Sequence, residues 1–217
     1  MSSIDQGNTL QDILKWEMGD NFSRETVTVA SGQDLDLGAV IGKIAIGTVP
    51  TTGTKDAGNT GGGTCTSVTG GTKAKVGVYT LTCIVAGATG IFAVGDPDGY
   101  ALPNAIVGTA YVNDQINFTI NDGSPDYAVG DIFTITVPAG TGYVAAVDSD
   151  AVNGTANAYG FLIAAVDASL AAKEGVAIVR NARVVTDNLE WPDESPLDTD
   201  DWLEQLADKG IIATEEV

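Results

Sequence analysis

The chain has 217 residues, with 10 Lys+Arg against 29 Asp+Glu and no histidine, a formal net charge of −19. Hydrophobic residues make up 44% and charged residues 18%, a globular composition, and a chain this long buries roughly 70% of its unfolded surface. The acidity excludes a nucleic-acid footprint, since each phosphate contact needs a Lys or Arg. The missing imidazole excludes Ser-His-Asp triads and His-ligated metals, and with no long apolar run and no basic-then-apolar leader, neither a membrane span nor a secretory signal is expected.

After Met1, residues 2–22 carry seven large apolar side chains, Ile4, Leu10, Ile13, Leu14, Trp16, Met18 and Phe22, among polar ones and almost without strand alternation. Thr9 with Asp12 is spaced to cap one helical turn that puts Leu10, Ile13 and Leu14 on a shared face. Termini are commonly loose, but so much apolar surface suits an arm that orders against a partner. Arg24–Ile46 then reads strand, turn, strand, with the second strand interrupted by Gly42.

Glycine is abundant, 27 residues in all, and residues 53–77 hold eight of them, including Gly61-Gly62-Gly63. This stretch reads as loops and a boundary, because a phosphate cradle also needs a helix start and usually a lysine. Short strands follow at Thr64–Val68, Val78–Val85, Ile91–Gly95, Gln115–Ile120 and Asp131–Val137. Turn residues separate them: Asp96-Pro97-Asp98-Gly99, Asn121 to Asp126, and Pro138-Ala139-Gly140. That spacing predicts an antiparallel sandwich or barrel. Asp96, Asp98, Asp122, Asp126 and Asp131 fit no calcium loop and read as turn formers. Cys65 and Cys83 are the two cysteines. A hairpin closing near Gly70–Gly77 would set them opposite each other within disulfide reach, as reduced thiols in the cell and a bridge after release.

Ala158–Val166 is a continuous apolar run that reads as a buried strand, and Gly175–Val185 another, interrupted by Arg180 and Arg183. From Asp187 onward there are 11 acids and one base, Lys209. Asp198 to Gly210 has the marks of one helix: Asp198 or Thr199 at the N-cap, acids in the first turn, glycine at the end. Trp202, Leu203 and Leu206 form its apolar stripe. No catalytic pattern is present beyond the abundance of acids, which leaves only a generic two-carboxylate hydrolase as an enzymatic alternative.

Several segments together resemble the phage head decoration (capsid cement) protein family. Asn153-Gly154-Thr155-Ala156-Asn157-Ala158-Tyr159-Gly160-Phe161-Leu162 is similar to the family's strand opening, with Asn153 where the family pattern has Asp. Leu189-Glu190-Trp191-Pro192 is similar to its Leu-Trp-Pro segment before an acidic helix. Gly58–Thr64, Gly77–Cys83, Phe92–Gly99 and Asp122–Asp131 resemble longer members. The resemblance implies a mainly β fold with minor α: a small β-rich core (residues 23–54 and 148–217) with one C-terminal helix, plus an inserted antiparallel β-sandwich or barrel-like domain (55–147). It also implies a non-enzymatic homotrimer, made in the host cytoplasm, seated at three-fold sites outside the expanded head. Its partner there is the major capsid protein; no cofactor, metal, nucleic acid or membrane is involved. On this reading Ile4, Leu10, Ile13, Leu14 and Trp16 are anchors of a capsid-binding arm (1–22), and Trp191, Trp202 and Leu206 are trimer or core contacts. The competing class is a free-standing β-sandwich that binds carbohydrate or a host surface.

Overall fold

A computed structural model describes residues 8–192 and 196–214, with the side chains of 196–198 left aside. In chain order the elements begin with α1 (Leu10–Ile13), β1 (Leu14–Glu17), α2 (Asp20–Ser23), β2 (Arg24–Val29), β3 (Gln33–Leu35) and β4 (Val40–Lys43). Next come β5 (Thr54–Lys55), β6 (Thr64–Gly70), β7 (Gly77–Val85), β8 (Ile91–Gly95), β9 (Ala101–Ile106), β10 (Ala110–Tyr111), β11 (Ile116–Asn121) and β12 (Ile132–Val137). The chain ends with β13 (Val144–Ala146), β14 (Ala158–Leu162), β15 (Val166–Ala168), β16 (Lys173–Ile178), β17 (Ala182–Val185), α3 (Pro196–Asp208) and β18 (Ile211–Thr214). The protein is therefore mainly β, with one long helix near its C-terminus.

The chain divides into two compact units, Met1–Ile44 with Gly142–Val217, and Ala45–Thr141. These boundaries differ from the sequence-based 54/55 and 147/148. Ile46 bridges Ala139 and is buried in the core of the second unit, while β13 completes the sheet of the first.

In the first unit β13, β2, β16, β14 and β4 close into a five-stranded barrel, which leaves those strands without a free edge. Alternation sends Val27, Val29, Ile41 and Leu162 inward. A second core gathers Phe161, Ile178, Val184, Trp202, Leu206 and Ile211. The expected continuous strand 175–185 is instead two strands, because Asn181 takes a positive φ of 45° and turns the chain. β17 then pairs with β1 on one side and β18 on the other. Helix α3 begins at Pro196 rather than at Asp198 or Thr199; proline suits the first helical turn, where its missing N–H has no partner to lose. The helix ends at Gly210, whose φ of 76° lets its N–H return to the Ala207 carbonyl at 2.8 Å.

The second unit is an antiparallel sandwich of two sheets, β5-β12-β7-β8-β9 and β10-β11-β6. Strict alternation along β11 and β12 points Ile116, Phe118, Ile120, Phe133, Ile135 and Val137 into one shared core. Phe92, Tyr127 and Phe133 meet there with ring centroids 5.0 and 6.0 Å apart. The triple glycine lies against Asn121 to Tyr127: a methyl group at Gly63 would overlap the Tyr127 hydroxyl and the Asn121 carbonyl. This stretch is packed backbone, not slack loop.

Candidate functional site

The acidic turns hold their own loops. Asp96 is buried; its carboxylate accepts from the Asp98 and Tyr100 amides at 3.0 and 2.8 Å and from Lys75 Nζ at 2.6 Å. The Lys75 hydrogen bond outweighs burial and keeps the Asp96 carboxyl below its ordinary pKa. Burial raises Asp131, but the amides of Ala128, Thr60 and Gly61, at 2.8–3.0 Å, outweigh it and the net shift is downward. Among the described residues no three His, Cys, Asp or Glu side chains stand close enough to hold a metal ion.

The cysteines do not form the expected cross-strand pair. β6 and β7 lie in different sheets: Cys65 is opposite Ile120 on β11, and Cys83 is opposite Phe92 on β8. Both are buried free thiols. Burial pushes Cys65 up to about 11, so it is an unreactive core residue at neutral pH.

The segments around Asn153 and Leu189 meet at α3. The Trp202 indole is 1% exposed and donates to the Ala156 carbonyl at 3.0 Å. Gln205 accepts from the Ala158 amide at 2.6 Å, and the Asn153 side chain receives the Thr155 amide and hydroxyl at 3.0 and 2.7 Å. Trp191 stacks on Trp202 with centroids 6.2 Å apart and planes 3° apart. Trp202 and Leu206 are thus core residues of the first unit, and Trp191 is half-buried at its edge.

Four of the five arm anchors fall on described residues; Ile4 lies outside them. The Thr9 amide and hydroxyl both reach Asp12 Oδ2 at 2.7 Å, which starts the expected helical turn. Ile13 is fully buried in the unit's own core and is not free to anchor an external partner, Leu14 packs half-buried against that core, and Leu10 is half-buried. β1 is zipped antiparallel onto β17. Trp16 is the exception, 51% exposed.

Trp16 belongs to a surface row. On the sheet β1-β17-β18 it stands opposite Arg183, which stands opposite Ile212, and all three side chains face outward. Buried Ser23 fixes the adjoining loop: its hydroxyl donates to the Asn181 carbonyl at 3.0 Å and accepts the Met18 amide at 3.1 Å. Met18 and Phe22 remain exposed beside that turn, with the Arg180 guanidinium 5.8 Å from the Phe22 ring. Arg24 is paired with Glu17 (Nε–Oε2 3.0 Å) and Arg180 with Glu25 (3.0 Å), while Arg183 makes no ion pair among the described residues. All three arginines of the chain, Arg24, Arg180 and Arg183, therefore lie on or beside this face. Of the face, the sequence-based anchors include only Trp16; the signal for the rest was the pair of arginines breaking the apolar run 175–185.

The fold is that of a mainly β protein of two units, with an exposed apolar and arginine-bearing face on the first. A family model described as bacteriophage lambda head decoration protein D matches residues 3–211, and the chain belongs to that family. It is a phage head decoration protein, of a structural class associated with the phage capsid. No curated protein matches the chain. Two crystal structures of FlgL from Xanthomonas campestris align at 19% identity and a TM-score of 0.33. They cover 51% and 46% of this chain, which spans only 34% and 31% of theirs, and at that score the likeness carries no argument.

Proposed function

We propose that this protein binds as a homotrimer at three-fold sites on the outside of the expanded phage head and fastens the major capsid protein there against the pressure of packaged DNA. The observation that carries the reading is the concentration of all three arginines with exposed Trp16, Met18, Phe22 and Ile212 at one place on a chain of net charge −19. Such a face has the aromatic and arginine content of interface cores, and Arg183, with no ion pair among the described residues, sets a cation on it in an otherwise strongly acidic molecule. The residues ahead of Leu10 would extend the contact as an arm, and trimerisation would multiply weak single contacts by avidity. An outer location also suits the net charge, which opposes entry into a DNA-filled interior.

The test is co-sedimentation with expanded and unexpanded shells of the cognate phage. Wild type should pellet with expanded shells, and Trp16→Ala combined with Arg183→Glu should remain in the supernatant while keeping its circular dichroism spectrum. Deleting residues 1–7 should weaken binding without unfolding the chain. Undiminished binding by the double variant would remove the face from the contact.

A further inference from the structure

The outer face of the five-stranded sheet in the sandwich carries no charge. Lys55 is the only charged residue in β5, β7, β8, β9 and β12. It stands opposite buried Phe133 and donates to the Gly61 carbonyl. One row runs straight across the outside: Thr54 opposite Thr134, then Thr80, Gly95 and Ala101. Beside it Val78, Ile84 and Ile106 are 46%, 45% and 49% exposed. A solvated sheet face normally reads polar, and charged side chains keep other chains off it. This one presents threonine hydroxyls and bare aliphatic groups on a chain of net charge −19.

The other sheet of the sandwich, β10-β11-β6, is uncharged too, but its outer side is polar and bonded to itself. Asn121 donates to the Thr66 hydroxyl at 2.8 Å and Asn117 to the Thr69 hydroxyl at 3.4 Å. The five-stranded face instead leaves aliphatic groups in the open.

We infer that this face is a self-pairing surface, on which the sandwich of a second copy packs sheet to sheet about a two-fold axis. A partner with charges on its surface would lose their hydration against threonine and aliphatic groups with no counter-charge in return. A like face loses nothing of that kind. Repulsion between copies is also least here, because the sandwich has three lysines against seven aspartates, −4 of the −19. A sugar ring has nothing to stack on, since Tyr79, Phe92 and Phe133, the aromatic residues of these strands, are all buried. Five strands 4.8 Å apart and about six residues long make a face of about 20 by 20 Å, or about 800 Å² across two copies. A standard stable pair buries about 1,200 Å² or more, so the pairing is weak in dilute solution and needs copies held close together. Side-by-side seating on a shell would supply that closeness; that setting alone rests on the proposed function, and the pairing itself does not.

Sedimentation equilibrium on the full chain, from about 1 µM to about 1 mM, tests it. The wild-type average mass should rise by about half or more over that range. Thr80→Lys with Thr136→Lys, both at exposed positions, should hold the dilute mass throughout and keep the melting temperature. That variant is less acidic than wild type, so reduced repulsion alone would drive it the other way. Thr64→Lys with Thr69→Lys, exposed on the other sheet, changes the charge equally and should associate as wild type does. In wild type itself the methyl resonances of Val78, Ile84 and Ile106 should shift with concentration, while those of exposed Val112 stay fixed. A wild-type mass flat to about 1 mM, fixed methyl resonances on the face, or equal association by the two lysine pairs overturns the self-pairing.

Discussion

The sandwich of residues 45–141 contains three lysines and seven aspartates and lacks arginine, glutamate and tryptophan, a net −4; the other unit holds every arginine and tryptophan and the remaining −15. The sandwich also uses all of its cations internally. Lys55 donates to the Gly61 carbonyl, Lys73 pairs with Asp114, and Lys75 pairs with Asp96 and Asp98. The first unit instead leaves Arg183 without an ion pair among the described residues and exposes Trp16, Met18, Phe22 and Ile212 around it. Both units expose large apolar side chains, Tyr100, Val112 and Val129 on the sandwich among them, so what separates the two is the use they make of their cations. On the proposed function the shell contact belongs to the first unit, and each unit has its own core to lose.

The largest effect that separates them is Trp202→Ala. It removes a fully buried indole, its bond to Ala156 and its stack on Trp191, a loss of about 3–5 kcal/mol. Hydrogen exchange should rise across β14, β17 and β18 while β7 and β12 stay protected, and shell binding should vanish. Equal loss of protection in β7 and β12 would show one cooperative body and break the comparison.

Gly63→Ala is the reciprocal experiment. Its methyl would meet the Tyr127 hydroxyl and the Asn121 carbonyl, and overpacking of this kind costs about 1–3 kcal/mol. Protection should fall in β6, β11 and β12, with the first unit and its binding to shells unchanged.

Acid should act on the sandwich through Asp96 and Asp131. Both carboxyls are held below the ordinary value of 3.8 in the folded chain. Their contribution is complete above about pH 4 and fades as pH falls through their lowered folded values. Lys75, raised above its ordinary 10.5 by Asp96 and Asp98, contributes fully below that pH and loses its share only at higher pH. Melting of the sandwich should therefore be flat across neutral pH and drop on the acid side. Asp96→Asn should lower the plateau and flatten the acid limb; an unchanged acid limb would relieve Asp96 of that role.

Much of this architecture is legible in the chain. Alternation marks β6, β7, β8, β11 and β12 to within one or two residues, because each buries one face and solvates the other. What alternation does not carry is pairing. β6 precedes β7 but pairs with β11, since the two sheets of a sandwich share consecutive strands, and the cysteine pair expected from a hairpin fails for that reason. The triple glycine reads as loop because residues without side chains leave no pattern, although the close approach of Asn121 to Tyr127 is what requires them. Ile13 looked available for a partner because a short amphipathic turn reads alike whether it packs inward or outward. Only the three-dimensional pairing of β1 with β17 turns Ile13 to the core and Trp16 to solvent.

The smallest effect on stability is also the sharpest test of function. Arg183 is exposed, has no ion pair among the described residues, and stands between Trp16 and Ile212 on the outer side of its sheet. No described residue pairs with its guanidinium, so Arg183→Glu should change stability by no more than about 0.5 kcal/mol. If the face docks on a partner, reversing that charge places a carboxylate where a cation met the shell, and like charges across an interface cost far more than the lost contact alone. The expected result is an unchanged melting temperature, an unchanged trimer and weakened association with expanded shells, with the defect growing as salt is lowered because screening no longer hides the repulsion. A variant that melts earlier would place Arg183 among the unit's internal contacts, and the contrast between a sandwich that pairs its lysines and a first unit that leaves a cation for a partner would lose its clearest residue.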